Sequence, residues 1–310
     1  MKKQNYGAIV GDVFGGVTAS VIALPLALAF GVASGVGAQA GIYGAIILGF
    51  VAALAGGTRV QISGPTGPMT IVAASTLVLF HGDVGLLMAA VLLTGLFQIL
   101  LGLLKVGKFV KYVPYPVISG FMSGIGIIII LLQINPLCGL EGVSSPLQAV
   151  VALADIASSF QIDALYVSLI ALAIVFFTPK RIARIIPTPL LALLVTTIFS
   201  QTVGLDVTTI GTVPRGRTVL VWTNFHPKQL SVIISAAMSL AVLGAIDSLL
   251  TSLVADSITK TEHNSNRELV GQGLGNALTA FFGGIPGAGA TMRTVVNVKS
   301  GGSTRLSGVL

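Results

Sequence analysis

The chain has 310 residues, of which 54% are hydrophobic and only 9% are charged, and its mean hydropathy is +0.96. An average soluble domain carries about 25% charged residues, so this composition excludes a soluble enzyme, a disordered chain and a nucleic-acid-binding protein. The formal net charge is +7, but the basic residues lie between apolar blocks, as the topology of a membrane protein requires. We therefore expect an all-α integral membrane protein whose partner is the lipid bilayer and not a nucleic acid. We also expect that it is not an enzyme and needs no cofactor.

The apolar runs predict about ten transmembrane segments, because a helix needs roughly 20 apolar residues to cross a bilayer. Residues 136–162 and 205–230 are predicted to be the longest loops between them. The segments lie near 12–33, 40–56, 66–80, 84–104, 113–134, 163–178, 187–204, 231–254, 269–283 and 289–299.

The positions of basic residues support this count, since Lys and Arg are enriched in cytoplasmic loops. We expect a multi-pass protein of the cell inner (plasma) membrane with a cytoplasmic N-terminus, because the chain starts with basic residues and the loop 136–162 has none. Three basic residues of the 205–230 loop, Arg215, Arg217 and Lys228, do not fit this pattern. Basic residues begin the chain and then follow every second segment: Lys2 and Lys3; Arg59; Lys105, Lys108 and Lys111; Lys180, Arg181 and Arg184; Lys260 and Arg267; Lys299 and Arg305.

Two of the predicted segments, the third and the tenth, are too short to cross a bilayer and begin with glycine and proline. They start at 63–70 (Ser-Gly-Pro-Thr-Gly-Pro-Met-Thr) and at 283–291 (Gly-Gly-Ile-Pro-Gly-Ala-Gly-Ala-Thr). Such residues oppose a regular helix, and irregular backbone at membrane depth occurs only where it lines a cavity or is buried in protein. Paired interrupted segments of this kind indicate the binding site of a transporter built from inverted repeats.

Half-helices that start near the middle of the bilayer direct unpaired N–H groups and partial positive charges at one another. Such a pair of N-termini attracts an anion. The alternative is that both glycine- and proline-rich runs are ordinary re-entrant or tight-turn loops.

Asp247 lies inside the predicted eighth segment, where a charged residue is costly and is a functional hypothesis by default. Thr251 lies four residues later and therefore on the same helical face. A carboxylate, a hydroxyl and free carbonyl groups suit Na⁺ as oxygen ligands. The same carboxylate could instead carry a proton, or could be a structural partner in an ion pair or in a hydrogen bond to backbone.

Arg293 lies two residues after Thr291, early in the tenth segment. A guanidinium beside a helix N-terminus would strengthen anion binding and offer planar donors to an oxyanion. The alternative is an anchor whose charge extends to the membrane interface.

A polar cluster follows the eighth segment and consists of Asp256, Glu262, His263 and Glu268. Its spacing is not that of a zinc site. We expect a polar cytoplasmic loop that holds two segments together.

Three stretches resemble the sulfate permease (SulP) family of anion transporters. The first is 12–32, with Ala-Leu-Pro-Leu-Ala-Leu-Ala-Phe-Gly at 23–31, the second runs from Asp-Ser-Ile-Thr at 256–259 to Gly-Asn at 275–276, and the third is 287–297. The similarity covers essentially the whole chain. It is greatest to the cyanobacterial sodium-dependent bicarbonate transporters of that family, notably at 64–70, 120–126 and 247–259.

The resemblance implies a seven-plus-seven inverted-repeat fold with half-helices in segments three and ten. It implies a core domain (12–104 and 231–310), a gate domain (113–204), an elevator-like movement of the core, and a homodimer of complete chains. With about ten of fourteen segments present, residues 1–310 are expected to be an incomplete transmembrane domain. Segments eleven to fourteen and the family's C-terminal STAS domain would be missing.

The resemblance also implies an anion bound between segments three and ten, with Na⁺ beside it. Arg293 is similar to the arginine that many members keep at this place, where the bicarbonate transporters have glycine. Leu26 is more similar to the bicarbonate transporters, since many sulfate and chloride members have glutamine there. The sodium ligands would be Asp247, Thr251, Gly289 and Thr291. The anion contacts would be Phe30, Thr66, Gly67, Ala290 and Arg293.

The favoured hypothesis is a secondary active transporter of a small inorganic oxyanion, with Na⁺-coupled bicarbonate uptake first. One alternative is proton-coupled transport of sulfate or a dicarboxylate, in which Asp247 carries the proton and Arg293 holds the larger anion. Another is a membrane-embedded fragment without transport of its own. An anion channel is less favoured, because a carboxylate beside the pore would repel anions in the absence of a coupling cation.

Overall fold

A computed structural model of the chain describes residues 2–112, 114–140, 142–143, 146–183, 188–207 and 229–310. Within these residues the chain is almost entirely helical, apart from the two-residue strands β1 (Ser63–Gly64) and β2 (Ala288–Gly289), and it includes a 3₁₀ helix at Val106–Tyr112. The α-helices are α1 (Lys2–Ala33), α2 (Ala38–Ala55), α3 (Gly67–Leu79), α4 (Val84–Leu103), α5 (Tyr115–Leu137), α6 (Pro146–Ser159), α7 (Ile162–Phe177), α8 (Lys180–Ala183), α9 (Thr188–Val203), α10 (Leu230–Thr259), α11 (Ser265–Phe281), α12 (Thr291–Lys299) and α13 (Leu306–Val309).

Four helices among the described residues are long and apolar enough to cross a membrane, namely Gly7–Ala33 within α1, then α2, α4 and α10. Helices α3, α7 and α9 and the segment Gly126–Leu137 of α5 are apolar but shorter. This pattern is that of a multi-pass membrane protein.

Each predicted segment coincides with a helix, and the largest differences lie at polar ends. Helix α1 already begins at Lys2, and α10 continues to Thr259, so Asp256 lies in its last turn and not in a loop. The prediction of a loop over 136–162 is wrong, because α6 occupies Pro146–Ser159. With 14 residues, α6 is too short for a membrane span of about 20 residues, so the length of apolar runs does not reveal it. The basic residues predicted in the 205–230 loop, Arg215, Arg217 and Lys228, lie outside the described residues.

The connection between α10 and α11 is a polar link, as the sequence predicts. Asn264 caps α11 by accepting the N–H of Arg267 at 3.0 Å. The ring of His263 bonds the Asp256 carboxylate through Nδ1 (2.6 Å) and the Ser265 hydroxyl through Nε2 (2.9 Å). These contacts fix the two helix ends to one another. Among the described residues no three His, Cys, Asp or Glu side chains lie close enough together to hold a metal ion.

Glycine allows α4 and α11 to approach closely. Gly95 and Gly273 face each other so that a Cβ on either residue would collide with the backbone carbonyl of the other. Small residues drive helix association in membranes by letting backbones come together. Because α11 also packs on α2, these contacts fix α2, α4 and α11 as one layer.

A buried apolar cluster lies where α3, α4 and α10 meet. Its largest members are Phe80 after α3, Leu87, Met88 and Val91 on α4, and Ile233 on α10. The close packing of such a cluster resists displacement of its helices. It therefore holds the first turns of α10 against the second half of α3.

The chain divides into two compact units. The first consists of Met1–Ser119 and Val213–Leu310 and contains both strands and α10 to α12. The second consists of Gly120–Thr212, and within it α7 packs on α9. The division into a core (12–104 and 231–310) and a gate (113–204) stays a prediction.

Candidate functional site

Two extended segments cross in the first unit and pair as antiparallel strands. Ser63 lies opposite Gly289, and Gly64 lies opposite Ala288. Strand β1 leads into α3 and strand β2 leads into α12, so two helices begin at the same crossing. The half-helices predicted in segments three and ten are therefore present, and their antiparallel crossing is what two inverted halves would produce.

Both helices that begin at the crossing are short. Helix α3 has 13 residues and α12 has 9, which at 1.5 Å per residue gives about 20 and 14 Å against a hydrocarbon core of about 30 Å. Their N-cap residues, Thr66 and Ala290, make no side-chain hydrogen bond to the first turn. The first-turn N–H groups and the positive ends of two helix dipoles are thus directed at one region, which suits an anion.

The carboxylate of Asp247 connects α10 to the start of α3. Asp247 lies in the second half of α10 and is only 6% exposed. The hydroxyl of Thr66 donates a hydrogen bond to its Oδ2 at 2.9 Å. A buried charged group needs such partners, and this one places a negative charge beside the N-terminus of α3.

One turn further along α10, Thr251 contacts the segment that leads into α12. Its hydroxyl donates to the carbonyl oxygen of Gly289 at 3.0 Å and lies 2.7 Å from the hydroxyl oxygen of Thr291. The N–H of Gly289 donates to the hydroxyl of Ser248 at 3.0 Å. Three of the four predicted sodium ligands therefore contact one another, and the fourth, Asp247, lies four residues before Thr251 on the same face of α10.

Arg293 lies in the first turn of α12 and is only 3% exposed. Its Nη2 donates to the carbonyl of Pro65 at 2.6 Å. Gly64 leaves room for the guanidinium, since a Cβ there would lie 2.8 Å from Nη1. Because the guanidinium is buried against Pro65 instead of extending outward, the structure does not support the interpretation of Arg293 as an interfacial anchor.

Two of the other predicted anion contacts lie at the same crossing. Gly67 is the buried first residue of α3, and the N–H of Ala290 donates to the carbonyl of Ile62 at 2.8 Å. Phe30 lies near the end of α1 and is half-buried. The binding roles of all these residues stay predictions.

Sequence reasoning misplaced one buried residue, Glu268, by assigning it to a polar loop. It lies in the first turn of α11 and is 1% exposed. Its Oε2 accepts the N–H groups of Gly57 and Thr58, both at 2.8 Å, and its Oε1 accepts the side-chain amides of Gln61 and Gln272, both at 2.9 Å. Glu268 thus ties α11 to the segment between α2 and β1.

Gln61 extends this network to the back of the site. Its Oε1 accepts the hydroxyl of Ser252, one residue after Thr251, at 2.9 Å. Its amide nitrogen packs on Gly289, where a Cβ would collide with it. A signal for the network exists in the sequence, because Glu268 and Gln272 are spaced by four and share one face of a helix.

The amino-acid sequence matches one protein family and is similar to characterised members of it. Residues 9–310 match the model of the sulfate permease family. The bicarbonate transporter BicA of Synechocystis sp. is 51% identical over 282 residues, which is 87% of this chain and 50% of that protein. The bicarbonate transporter BicA of Picosynechococcus sp. is 49% identical over 287 residues, again 87% of this chain and 50% of that protein. The chain thus spans about half the length of these curated relatives.

The fold also matches a solved structure. The transmembrane domain of a cyanobacterium bicarbonate transporter BicA superposes with a TM-score of 0.89 at 50% sequence identity, and the match covers 97% of this chain and 80% of that chain. The predicted fold class, an all-helical membrane transporter with two half-helices, is confirmed.

Proposed function

Since this chain belongs to the sulfate permease family of anion transporters, we propose that it forms part of a secondary active transporter whose substrates are bicarbonate and Na⁺, taken up together. The observation that supports this pair is the junction of Thr251, Gly289 and Thr291 beside Asp247. The relatives that are 51% and 49% identical to this chain over the aligned residues are named bicarbonate transporters.

The cation would bind to the oxygens that α10 and the start of α12 bring together. A carboxylate from Asp247, hydroxyls from Thr251 and Thr291 and the carbonyl of Gly289 form a set of hard oxygen ligands, which small hard cations prefer. Thr66 holds one oxygen of Asp247, so the carboxylate is oriented before the ion arrives.

The anion would bind where the two helices begin. The free N–H groups at the starts of α3 and α12 supply donors without a full charge. Arg293 adds a guanidinium that is already held against Pro65 and that offers planar donors to an oxyanion. Thr66, Gly67 and Ala290 line this region through their positions at the two N-termini.

Coupling would follow from charge. The carboxylate of Asp247 repels a nearby anion, and in a buried site of low dielectric this repulsion is large. A bound Na⁺ neutralises the carboxylate and so favours anion binding, and by reciprocity the anion favours Na⁺ binding.

The proposal extends to the complete protein. We place it in the inner membrane with a cytoplasmic N-terminus, as a homodimer that moves its core against its gate in an elevator-type cycle. Support comes from the basic residues at every second loop and from the family.

A second candidate is sulfate uptake driven by protons. One observation favours it, namely the buried guanidinium of Arg293, which adds a positive charge for a divalent oxyanion. In this scheme Asp247 would carry the proton and no Na⁺ would be needed.

Uptake of radiolabelled bicarbonate and sulfate by cells that express the full-length gene, with and without Na⁺, tests the proposal. We expect bicarbonate uptake that requires Na⁺ in the wild type and loses this requirement, or all activity, in Asp247→Asn. Sulfate uptake that follows a proton gradient without Na⁺ would overturn the proposal in favour of the second candidate. Unchanged Na⁺-driven uptake in Asp247→Asn would remove Asp247 from the cation site.

A further inference from the structure

We propose that Asn276 of α11 is a positioning residue for the cation site, which fixes the peptide of Gly287 and thereby the carbonyl of Gly289 two residues later. This inference rests on the proposed function in one respect, namely that the Gly289 carbonyl binds Na⁺. Asn276 does not touch the proposed ion, and acts only through the backbone.

Asn276 binds the backbone of Gly287 at both of its polar groups. The N–H of Gly287 donates to Oδ1 of Asn276 at 3.0 Å, and Nδ2 of Asn276 donates to the carbonyl of Gly287 at 3.0 Å. Two residues of neighbouring antiparallel strands exchange the same pair of hydrogen bonds. The Asn276 carboxamide therefore makes the pair of hydrogen bonds with Gly287 that a neighbouring strand would otherwise make.

Gln98 of α4 holds the Asn276 carboxamide in this orientation. Its Oε1 accepts a hydrogen bond from Nδ2 of Asn276 at 2.9 Å. Both side chains are fully buried, with 0% exposure, and the close packing of α4 on α11 leaves them little freedom. The donor of Asn276 thus has two acceptors in fixed positions, and its amide plane is set by both.

In an extended backbone the polar groups of successive residues point to alternate edges, so Gly287 and Gly289 share one edge. Strand β2 pairs with β1 through Ala288, and the N–H of Ala290 bonds to Ile62, so the even-numbered residues face β1. The backbone N–H and C=O groups of Gly287 and Gly289 therefore point away from β1, to the opposite edge of β2. Asn276 binds that edge at Gly287.

Helix α10 binds the same edge at Gly289. Ser248 accepts its N–H and Thr251 donates to its carbonyl. Side chains of α11 and α10 thus hold the same edge of this segment, at Gly287 and at Gly289. Loss of the Asn276 contact would free Gly287 to rotate, and the direction of the Gly289 carbonyl would then depend on the contacts with α10 alone.

Half-saturating concentrations of Na⁺ and bicarbonate, measured for uptake by the full-length protein in proteoliposomes, test the inference. For Asn276→Ala and the isosteric Asn276→Asp, we expect the half-saturating Na⁺ concentration to rise about 10- to 100-fold, the usual effect of removing a group that orients a metal ligand. At saturating Na⁺ the half-saturating bicarbonate concentration should change less than about twofold, since the anion site is intact once the cation is bound.

Asn135→Ala is the matched control, because Asn135 is a buried asparagine of α5, in the other unit. It should leave both half-saturating concentrations unchanged. A purely structural role of Asn276 would lower the amount of active protein without moving the Na⁺ value, and that result would overturn the inference. If Asn276→Ala does not fold, Asn276→Asp decides, because it keeps an acceptor for the Gly287 N–H and replaces the N–H donors by an oxygen of a negatively charged carboxylate.

Hydrogen–deuterium exchange provides a readout that does not depend on the identity of the ion. In Na⁺-free buffer, peptides covering 285–290 should exchange faster in both Asn276 variants than in the wild type and in Asn135→Ala. Equal exchange in all four proteins would overturn the inference. Na⁺-independent uptake by the wild type, together with faster exchange in the Asn276 variants, would instead refute the proposed function and leave the positioning of Gly287 in place.

Discussion

Thr251 donates its hydroxyl hydrogen to the carbonyl oxygen of Gly289, 38 positions away in the chain, at 3.0 Å. A threonine hydroxyl has one hydrogen to give, so in the contact between Thr251 and Thr291 the donor is Thr291. Oxygens that face a cation must direct lone pairs at it. We therefore expect Na⁺ binding to break the bond between Thr251 and Gly289 and to replace both hydrogen bonds by contacts to the ion.

Two substitutions of Thr251 distinguish the effect of its hydroxyl group from the effect of its side-chain shape. Thr251→Val should raise the half-saturating Na⁺ concentration about 5- to 150-fold, the equivalent of the roughly 1–3 kcal/mol lost when a buried polar group loses its partner. Thr251→Ser keeps the oxygen and should remain within a few-fold of the wild type. Na⁺-titrated bicarbonate uptake measures both, and equal behaviour of the two variants would exclude Thr251 as a ligand.

Gly289→Ala tests the space behind the site. A Cβ at this position would collide with the amide of Gln61 and approach Cα of Ser248 to 3.1 Å. Such overpacking costs about 1–3 kcal/mol, and the carbonyl would be displaced. We expect a lower midpoint of thermal unfolding in detergent and a weaker response of that midpoint to added NaCl.

Gly126→Ala is the control for that substitution. Gly126 lies in α5, and a Cβ there meets nothing within 4 Å. Its unfolding midpoint should equal or exceed that of the wild type, because alanine favours a helix over glycine. If Gly289→Ala behaved in the same way, the contact with Gln61 would not be a tight one.

Arg293→Lys should weaken anion binding while it keeps the positive charge. The buried guanidinium is held by Pro65, and lysine lacks the planar arrangement of donors that binds an oxyanion through two hydrogen bonds. We expect the half-saturating bicarbonate concentration to rise about tenfold, since a charge-assisted hydrogen bond contributes about 1.5–3 kcal/mol. Lys299→Gln, at the exposed end of α12, should leave it unchanged, and an equal effect of both variants would point to a general influence of charge.

Glu268→Gln should destabilise the fold without a direct effect on either substrate. All four partners of this carboxylate are N–H donors, so an amide group would direct its own N–H at another donor. The expected loss is at least about 1.5–3 kcal/mol, detectable as a lower unfolding midpoint. The exposed Glu262 provides the comparison variant Glu262→Gln, which should lower the unfolding midpoint less than Glu268→Gln, because its carboxylate is in contact with water.

The sequence allowed the helices, the two half-helices and the region of the site to be predicted. Apolar length reveals a span, and a glycine- and proline-rich start reveals an interrupted helix, so α3 and α12 were found without coordinates. Asp247 could be predicted because a carboxylate inside an apolar segment is costly and usually has a function. These signals are local, and each can be read within one segment.

The contacts that complete the site were not predictable in the same way. The bond between Asn276 and Gly287 joins two residues whose pairing depends on how α11 returns over β2, and the bond between Gln61 and Glu268 spans 207 positions. Helix α6 was missed because it is amphipathic and short. Tertiary packing decides such contacts, and the spacing of Glu268 and Gln272 indicates only that these two residues share one face of a helix.

The crossing of β1 and β2 is made by peptide groups, with glycine and alanine as the residues of β2. A junction of this kind limits the size of the side chains at its centre but not the chemistry of those at its rim. Under the proposed function, exchange of a flanking residue such as Arg293 would therefore change which anion is accepted, while the backbone that presents the anion would stay the same.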